Sequence, residues 1–145
     1  MLLFRRHRTE LGLRYDTPPE LIDAFVKGVR ELIMVHPDSR KDAFNAEFIG
    51  FGDSALLILV NVYFRSLDWN LEQSSKHKLH IAIVKLAKEL GVEFAFPSTT
   101  VIIENFPEKK GINPRYDTDK ERIEIAISSV VSNFEEENPT EKNEI

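Results

Sequence analysis

The chain has no cysteine, which removes disulfides, thiolate nucleophiles and cysteine-held metals from consideration. It also has no long apolar run. The longest unbroken one, Ala55 to Val60, has the length of a buried strand, far short of the ~20 residues that cross a bilayer. Met1-Leu2-Leu3-Phe4-Arg5-Arg6 is not a signal peptide, because charge follows a very short apolar stretch. Positive charge is not in excess either. A net charge of −5 argues against whole-surface attraction to nucleic acid or anionic lipid. No Gly-x-Ser-x-Gly is present, so no nucleophile elbow is expected. What is present suits one soluble globular domain: 145 residues, 42% hydrophobic and 30% charged. Ten phenylalanines against one tryptophan and three tyrosines imply a core filled by Phe rings.

Apolar Leu11, Leu13 and Tyr15 alternate with Glu10, Gly12 and Arg14, the period of a strand with one buried face, and this predicts a strand over Thr9 to Tyr15. Thr17-Pro18-Pro19-Glu20 reads as a helix start, with Thr17 as cap and Glu20 completing a capping box. Leu21, Phe25, Val29 and Leu32 then form a helical stripe, widened by Ile22, Val26 and Ile33, and His36-Pro37 ends it. Phe44, Ala46 and Phe48 alternate up to Gly50. Gly50-Phe51-Gly52-Asp53-Ser54 then connects to a long strand from Ala55 to about Arg65, giving a β-hairpin. Gly50, Gly52 and Asp53 are its expected turn residues, with glycine supplying positive φ. Leu56, Ile58, Val60, Val62 and Phe64 share one face of that strand and Leu57, Leu59 and Tyr63 the other, as in a central strand covered twice over part of its length. Asp68 or Asn70 caps a second helix carrying Leu79, Ile83, Leu86 and Leu90, with Gly91 just past its end. Val92 to Phe96 is a short strand, Pro97 redirects the chain, and Thr100 to Phe106 is a further strand.

The expected fold class is therefore α+β: a ferredoxin-like β-α-β-β-α-β sandwich with both helices on one face of an antiparallel sheet, plus an extra C-terminal strand and an amphipathic helix. The organisation expected is a basic N-terminal linker over 1–8, the ferredoxin-like domain over 9–106, a linker over 107–116, the helix over 117–135 and a disordered acidic tail over 136–145. In the tail helix, Thr118 with Glu121 makes a capping box, and Ile123, Ile127, Val130, Val131 and Phe134 make the stripe. That stripe can pack on its own domain or on a neighbouring subunit, and the sequence leaves both open.

Three stretches carry a family resemblance. Arg14-Tyr15-Asp16-Thr17-Pro18-Pro19-Glu20, Gly50-Phe51-Gly52-Asp53-Ser54-Ala55-Leu56 and Gly91-Val92-Glu93-Phe94-Ala95-Phe96-Pro97-Ser98-Thr99-Thr100 stand in order around suitable elements. The path from Leu13 to Phe106 thereby resembles the cytosolic C-terminal α/β domain of the small-conductance mechanosensitive channel (MscS-like) family. The resemblance implies a heptameric hollow vestibule below the membrane, on the cytoplasmic face of the inner membrane, through which ions and small osmolytes reach a pore. It also implies that Thr100, Val101, Ile102 and Ile103 belong to a strand that contacts other copies of the chain. A lone strand after a proline needs such partners for its backbone groups. The family's membrane helices and middle β-domain have no counterpart in these residues, and the helix over 117–135 has none in the family. The alternative is a stand-alone ferredoxin-like binding or regulatory module that oligomerises through its sheet or tail helix.

Other chemistries fare less well. His77 and His80 lie three apart on one helix face, yet too few ligands converge for a metal centre, and a solvated surface beside Lys76 and Lys78 is the simpler reading. Gly50-Phe51-Gly52 precedes a strand and lacks a following Gly-Lys-Ser/Thr, so it is no phosphate loop. RNA-recognition modules share the element order. Here, however, Ile49 replaces their basic residue, and Asp53 and Ser54 stand where a stacking aromatic is needed. Arg5-Arg6-His7-Arg8 reads as a solvated linker before it reads as a lipid contact. The expectation is a protein that is not an enzyme, with no catalytic residue, no cofactor, no metal and no nucleic-acid partner.

Overall fold

The computed structural model describes residues 4–65, 68–95 and 116–140. Within them the order is β1 (Phe4–Leu13), α1 (Pro19–Val35), β2 (Ser39–Phe51), β3 (Leu56–Arg65), α2 (Trp69–Leu90) and α3 (Lys120–Glu137). The three strands form an antiparallel sheet in the order β1-β3-β2. The fold class is α+β. In place of a full fourth strand, the described residues hold a single bridge, Phe94 against Leu13. It is bracketed by Arg14 N–H donating to Glu93 O at 3.2 Å and Ala95 N–H to Gly12 O at 2.9 Å. It lies on the free side of β1, where a ferredoxin-like sheet has its fourth strand.

β3 is the central strand, and its alternation sets the layers. Leu56, Ile58, Val60, Val62 and Phe64 are buried against the helices. The second cover expected over Leu57, Leu59 and Tyr63 is not found among the described residues, and these three are only half-buried. A polar ladder crosses that open face: Arg6 Nε donates to Asn61 Oδ1 at 2.7 Å, and Asn61 Nδ2 donates to Asn45 Oδ1 at 3.3 Å. The basic stretch expected as a linker is instead part of β1, paired with β3 from Phe4↔Arg65 to Leu13↔Leu56. Two of its three arginines are accommodated by alternation, while Arg5, opposite Phe64 on the helix side, is paired with Glu72. Arg6 and Arg8 share the open face, while His7, Thr9, Leu11 and Leu13 sit opposite Val62, Val60, Ile58 and Leu56.

α1 buries Leu21, Phe25, Val29, Leu32 and Ile33, the stripe read from the sequence. Its start differs from the expected capping box. Pro18 occupies the cap with no side-chain hydrogen bond, and Thr17 Oγ1 donates backwards to Arg14 O at 2.6 Å. Thr17 thus closes the β1–α1 turn, because two consecutive prolines leave fewer N–H donors to cap. At the other end, Ser39 Oγ donates to Ile33 O at 2.5 Å, and Lys41 Nζ donates to the carbonyls of Ile33 and His36, satisfying the last turn. α2 is capped by Asp68, which accepts from Leu71 N–H at 2.8 Å, and ends at Gly91 with φ 77°. α1 and α2 touch closely, for a Cβ on Gly28 would lie 2.6 Å from Leu86 Cδ2.

α3 packs on both α1 and α2, on the side away from the sheet, burying Ile123, Ala126, Ile127, Val130 and Phe134. Its cap is Asp119, which accepts from Arg122 N–H at 3.1 Å, rather than Thr118. Arg122 ties it down by donating to Glu89 O and Leu90 O, each at 3.0 Å, the free carbonyls at the end of α2. Of the two packings left open by the sequence, the helix takes the one on its own domain. The helix also reaches Glu137, two residues into the expected tail.

His36 sits where the three helical and sheet layers meet. It is fully buried, with ring centroids 5.0 Å from Phe64 and 5.6 Å from Phe134. Its Nδ1 accepts from Asp38 N–H and its Nε2 lies 3.0 Å from Ser75 O, which assigns the neutral Nε2–H tautomer. Burial pushes its pKa down from 6.5 to about 4, only partly opposed by the Ser75 carbonyl and Asp38. The folded state therefore holds His36 neutral over a range where the unfolded chain takes up a proton. Its contribution to stability is present above about pH 6.5 and is lost as pH falls towards about 4. The total is of order 3 kcal/mol. Urea denaturation of the parent and His36→Gln across that window should show a flatter pH dependence in the variant, and equal slopes would reject the assignment.

Candidate functional site

The three stretches that carry the family resemblance lie about forty residues apart in sequence, and their described parts, the third only as far as Ala95, meet at one corner of the sheet. Arg14, just past β1, forms ion pairs with Asp16 at 3.2 Å and with Glu93 at 3.1 Å. Desolvation opposes the charge on Arg14, but the Glu93 hydrogen bond, the charge and hydrogen bond of Asp16, and Tyr116 together raise its pKa. Tyr15 reaches the hairpin, its hydroxyl donating to Gly52 O. Tyr116, at the approach to α3, donates to Asp16 Oδ1 at 2.8 Å. Burial first, and then this hydrogen bond, raise the Tyr116 phenol above its ordinary range. Thus the β1–α1 turn is the hub. The hairpin, the segment after α2 and the lead-in to α3 all attach to it.

The hairpin residues hold different posts from those expected. Gly50 lies within β2, paired with Leu57 at a register shift after Phe48, so it marks a bulge rather than the turn. Gly52 and Asp53 lie in the turn, which Gly52 N–H closes onto Ala55 O at 2.7 Å. Gly52 does not have the positive φ anticipated for it, since Gly91 is the glycine with that geometry among the described residues. What Gly52 supplies is space: a Cβ there would lie 3.2 Å from Ala55 O and 3.3 Å from Leu57 Cδ2. Beside the turn, Phe48, Ile49 and Phe51 are exposed, with the two Phe rings edge to face at 5.3 Å. Pro97 and the strand residues Thr100, Val101, Ile102 and Ile103 lie outside the described residues.

His80 does not pair with His77. It faces His7 of β1, with the two Nε2 atoms 3.0 Å apart. The sequence offers no local signal for this contact, since the residues are 73 positions apart. Among the described residues no group of three or more His, Cys, Asp or Glu side chains converges on a metal-sized site. No described helix is long and apolar enough to cross a membrane. The remaining basic side chains of β1 are engaged: Arg5 pairs with Glu72 at 3.8 Å and Arg8 with Glu10 at 3.2 Å.

The element order, the sheet order and the position of Phe94 define a ferredoxin-like α+β domain with all three helices on one side. Residues 7–94 match the family model described as the C-terminal part of the mechanosensitive ion channel MscS, more than half of the chain. The chain belongs to the MscS family. It is 34% identical over 105 residues to an uncharacterised MscS family protein of Aquifex aeolicus, covering 72% of the chain and 28% of that protein. It is 29% identical over 109 residues to the low conductance mechanosensitive channel YnaI of Escherichia coli, covering 74% and 32%. Against the large-conductance mechanosensitive channel MscMJLR of Methanocaldococcus jannaschii it is 29% identical over 98 residues, covering 66% and 27%. The chain thus spans about a third or less of the length of these relatives.

The two hairpin glycines should respond oppositely to substitution. Gly52→Val should lower stability by roughly 1 kcal/mol or more, because the side chain meets backbone and Leu57. Nothing lies within 4 Å of a Cβ on Gly50, so Gly50→Ala should be neutral or stabilising by up to about 1 kcal/mol. Denaturation midpoints compared with the parent's decide, and a loss at Gly50 matching that at Gly52 would contradict these placements.

Proposed function

We propose that this chain is the C-terminal, cytosolic domain of an MscS-like channel, and that its work is assembly and shape rather than catalysis. The match of residues 7–94 to the family's C-terminal region carries the reading. Three relatives named as mechanosensitive channels support it, and the stand-alone regulatory module draws no such support. In the full-length protein, copies of the domain associate into a ring, a heptamer by family resemblance. The ring forms a vestibule at the cytoplasmic face of the inner membrane that ions and small osmolytes traverse.

The convergence of the resembling stretches on Arg14, Tyr15 and Asp16 gives the vestibule wall a rigid corner. Pro97 and then Thr100 to Ile103 follow that corner in the sequence, and this reading assigns Thr100 to Ile103 to contacts between copies. Gly52 and Asp53 keep the neighbouring hairpin tight, and Gly50 lets β2 bulge above it.

A chimera tests this directly. Residues 7–94 are placed in the Escherichia coli channel YnaI in place of its matching segment, and membrane patches are stretched by suction. Tension-gated currents are expected. A chimera that reaches the membrane yet neither assembles into a ring nor conducts would reject the reading.

A further inference from the structure

Two imidazoles that meet edge to edge across different elements are uncommon, because neutral rings gain little from each other that water would not supply. His7 extends from β1 and His80 from α2, with Nε2 atoms 3.0 Å apart and ring planes tilted by 50°. His7 is steadied by Phe64, whose ring lies 6.2 Å away and nearly parallel. Metal–nitrogen bonds of about 2.0–2.1 Å put cis ligand nitrogens roughly 3.0 Å apart at a right angle, and roughly 3.3 Å apart in a tetrahedron. The observed separation already falls at the first value and is within a small rotation of the second.

We propose that His7 and His80 form a two-histidine binding site for a borderline divalent transition ion, of the Ni²⁺, Cu²⁺ or Zn²⁺ class, which clamps the N-terminal half of β1 to α2. Both lone pairs must face the ion. In the metal-free pair one Nε2 carries the proton of the mutual hydrogen bond. That ring passes to its Nδ1–H tautomer on binding, so above the imidazole range no net proton is released.

Partial burial, then His80 and Lys76, hold His7 below the ordinary imidazole pKa, against Glu72. Burial, then Lys76 and His77, do the same for His80. Both rings are therefore available as neutral ligands at pH 7. The charged neighbours sum to one net positive charge, since Glu72 of α2 holds both Lys76 at 3.4 Å and Arg5 of β1 at 3.8 Å, so the imidazole nitrogens and not the local field must draw the ion. No third protein ligand joins the pair among the described residues, so water completes the coordination. Because the site joins residues 73 positions apart, occupancy opposes local opening of β1 and raises thermal stability.

Calorimetric titration of the purified chain with NiCl2, and separately ZnCl2, should give one saturable site and a raised Tm. Binding should weaken as pH falls below the imidazole range. His7→Gln and His80→Gln should each weaken binding by at least tenfold, while His77→Gln leaves it unchanged. Both variants should match the parent's Tm trend in EDTA. If either fails to fold, the parent settles the matter: Zn²⁺ should perturb the ring nitrogen resonances of His7 and His80, leaving those of His77 and His36 in place. Absence of saturable binding, binding unchanged in His80→Gln, or perturbation centred on His77 would each overturn the site.

Discussion

The fold depends on one strand having one dry face. Leu56, Ile58, Val60, Val62 and Phe64 occupy every second position of β3 and are all buried. Because side chains along a strand alternate strictly, this face fixes which residues of β1 and β2 can stand beside it and where the helices must lie. α1 and α2 cover it and approach each other closely at Gly28 and Leu86. α3 packs on both. The domain is consequently a sheet with two successive helical layers on one face and a polar, half-open surface on the other.

That asymmetry gives the two faces of the domain different characters. The helical side is occupied by the chain's own α3, with Arg122 donating to the last carbonyls of α2. The sheet side keeps Leu57, Leu59 and Tyr63 half-buried around the Arg6–Asn61–Asn45 ladder. The corner built on Arg14, Tyr15 and Asp16 joins the hairpin, the post-α2 segment and the approach to α3 through side-chain bonds. Motifs that look like separate turn signals are the parts of one joint.

Features with a local cause were legible in the sequence. The α1 and α2 stripes, the stop at His36-Pro37, the left-handed Gly91 and the central strand all follow from periodicity and backbone sterics within a few residues. Features whose cause lies elsewhere in the fold were not. The first half of β1 reads as a linker because its arginines look solvated, and only its pairing with β3 makes it a strand. Thr17 looks like a cap, but the adjacent prolines and the Arg14 carbonyl claim it for a turn. Gly52 looks like a positive-φ glycine, whereas the crowding that excludes a side chain comes from Ala55 and Leu57. The His7–His80 contact and the docking of α3 are tertiary events that no window of sequence contains.

The charged half of β1 has one more role that follows from its alternation. With Arg6 and Arg8 on the outward face and Thr9, Leu11 and Leu13 inward, sliding β1 by one residue against β3 would drive two guanidinium groups beneath the helices and expel its apolar residues. Burying an unpaired charge costs several kcal/mol, which disfavours alignments displaced by an odd number of residues. Arg6 and Arg8 thus act as a proofreading device for strand alignment, disfavouring each arrangement displaced by a single residue.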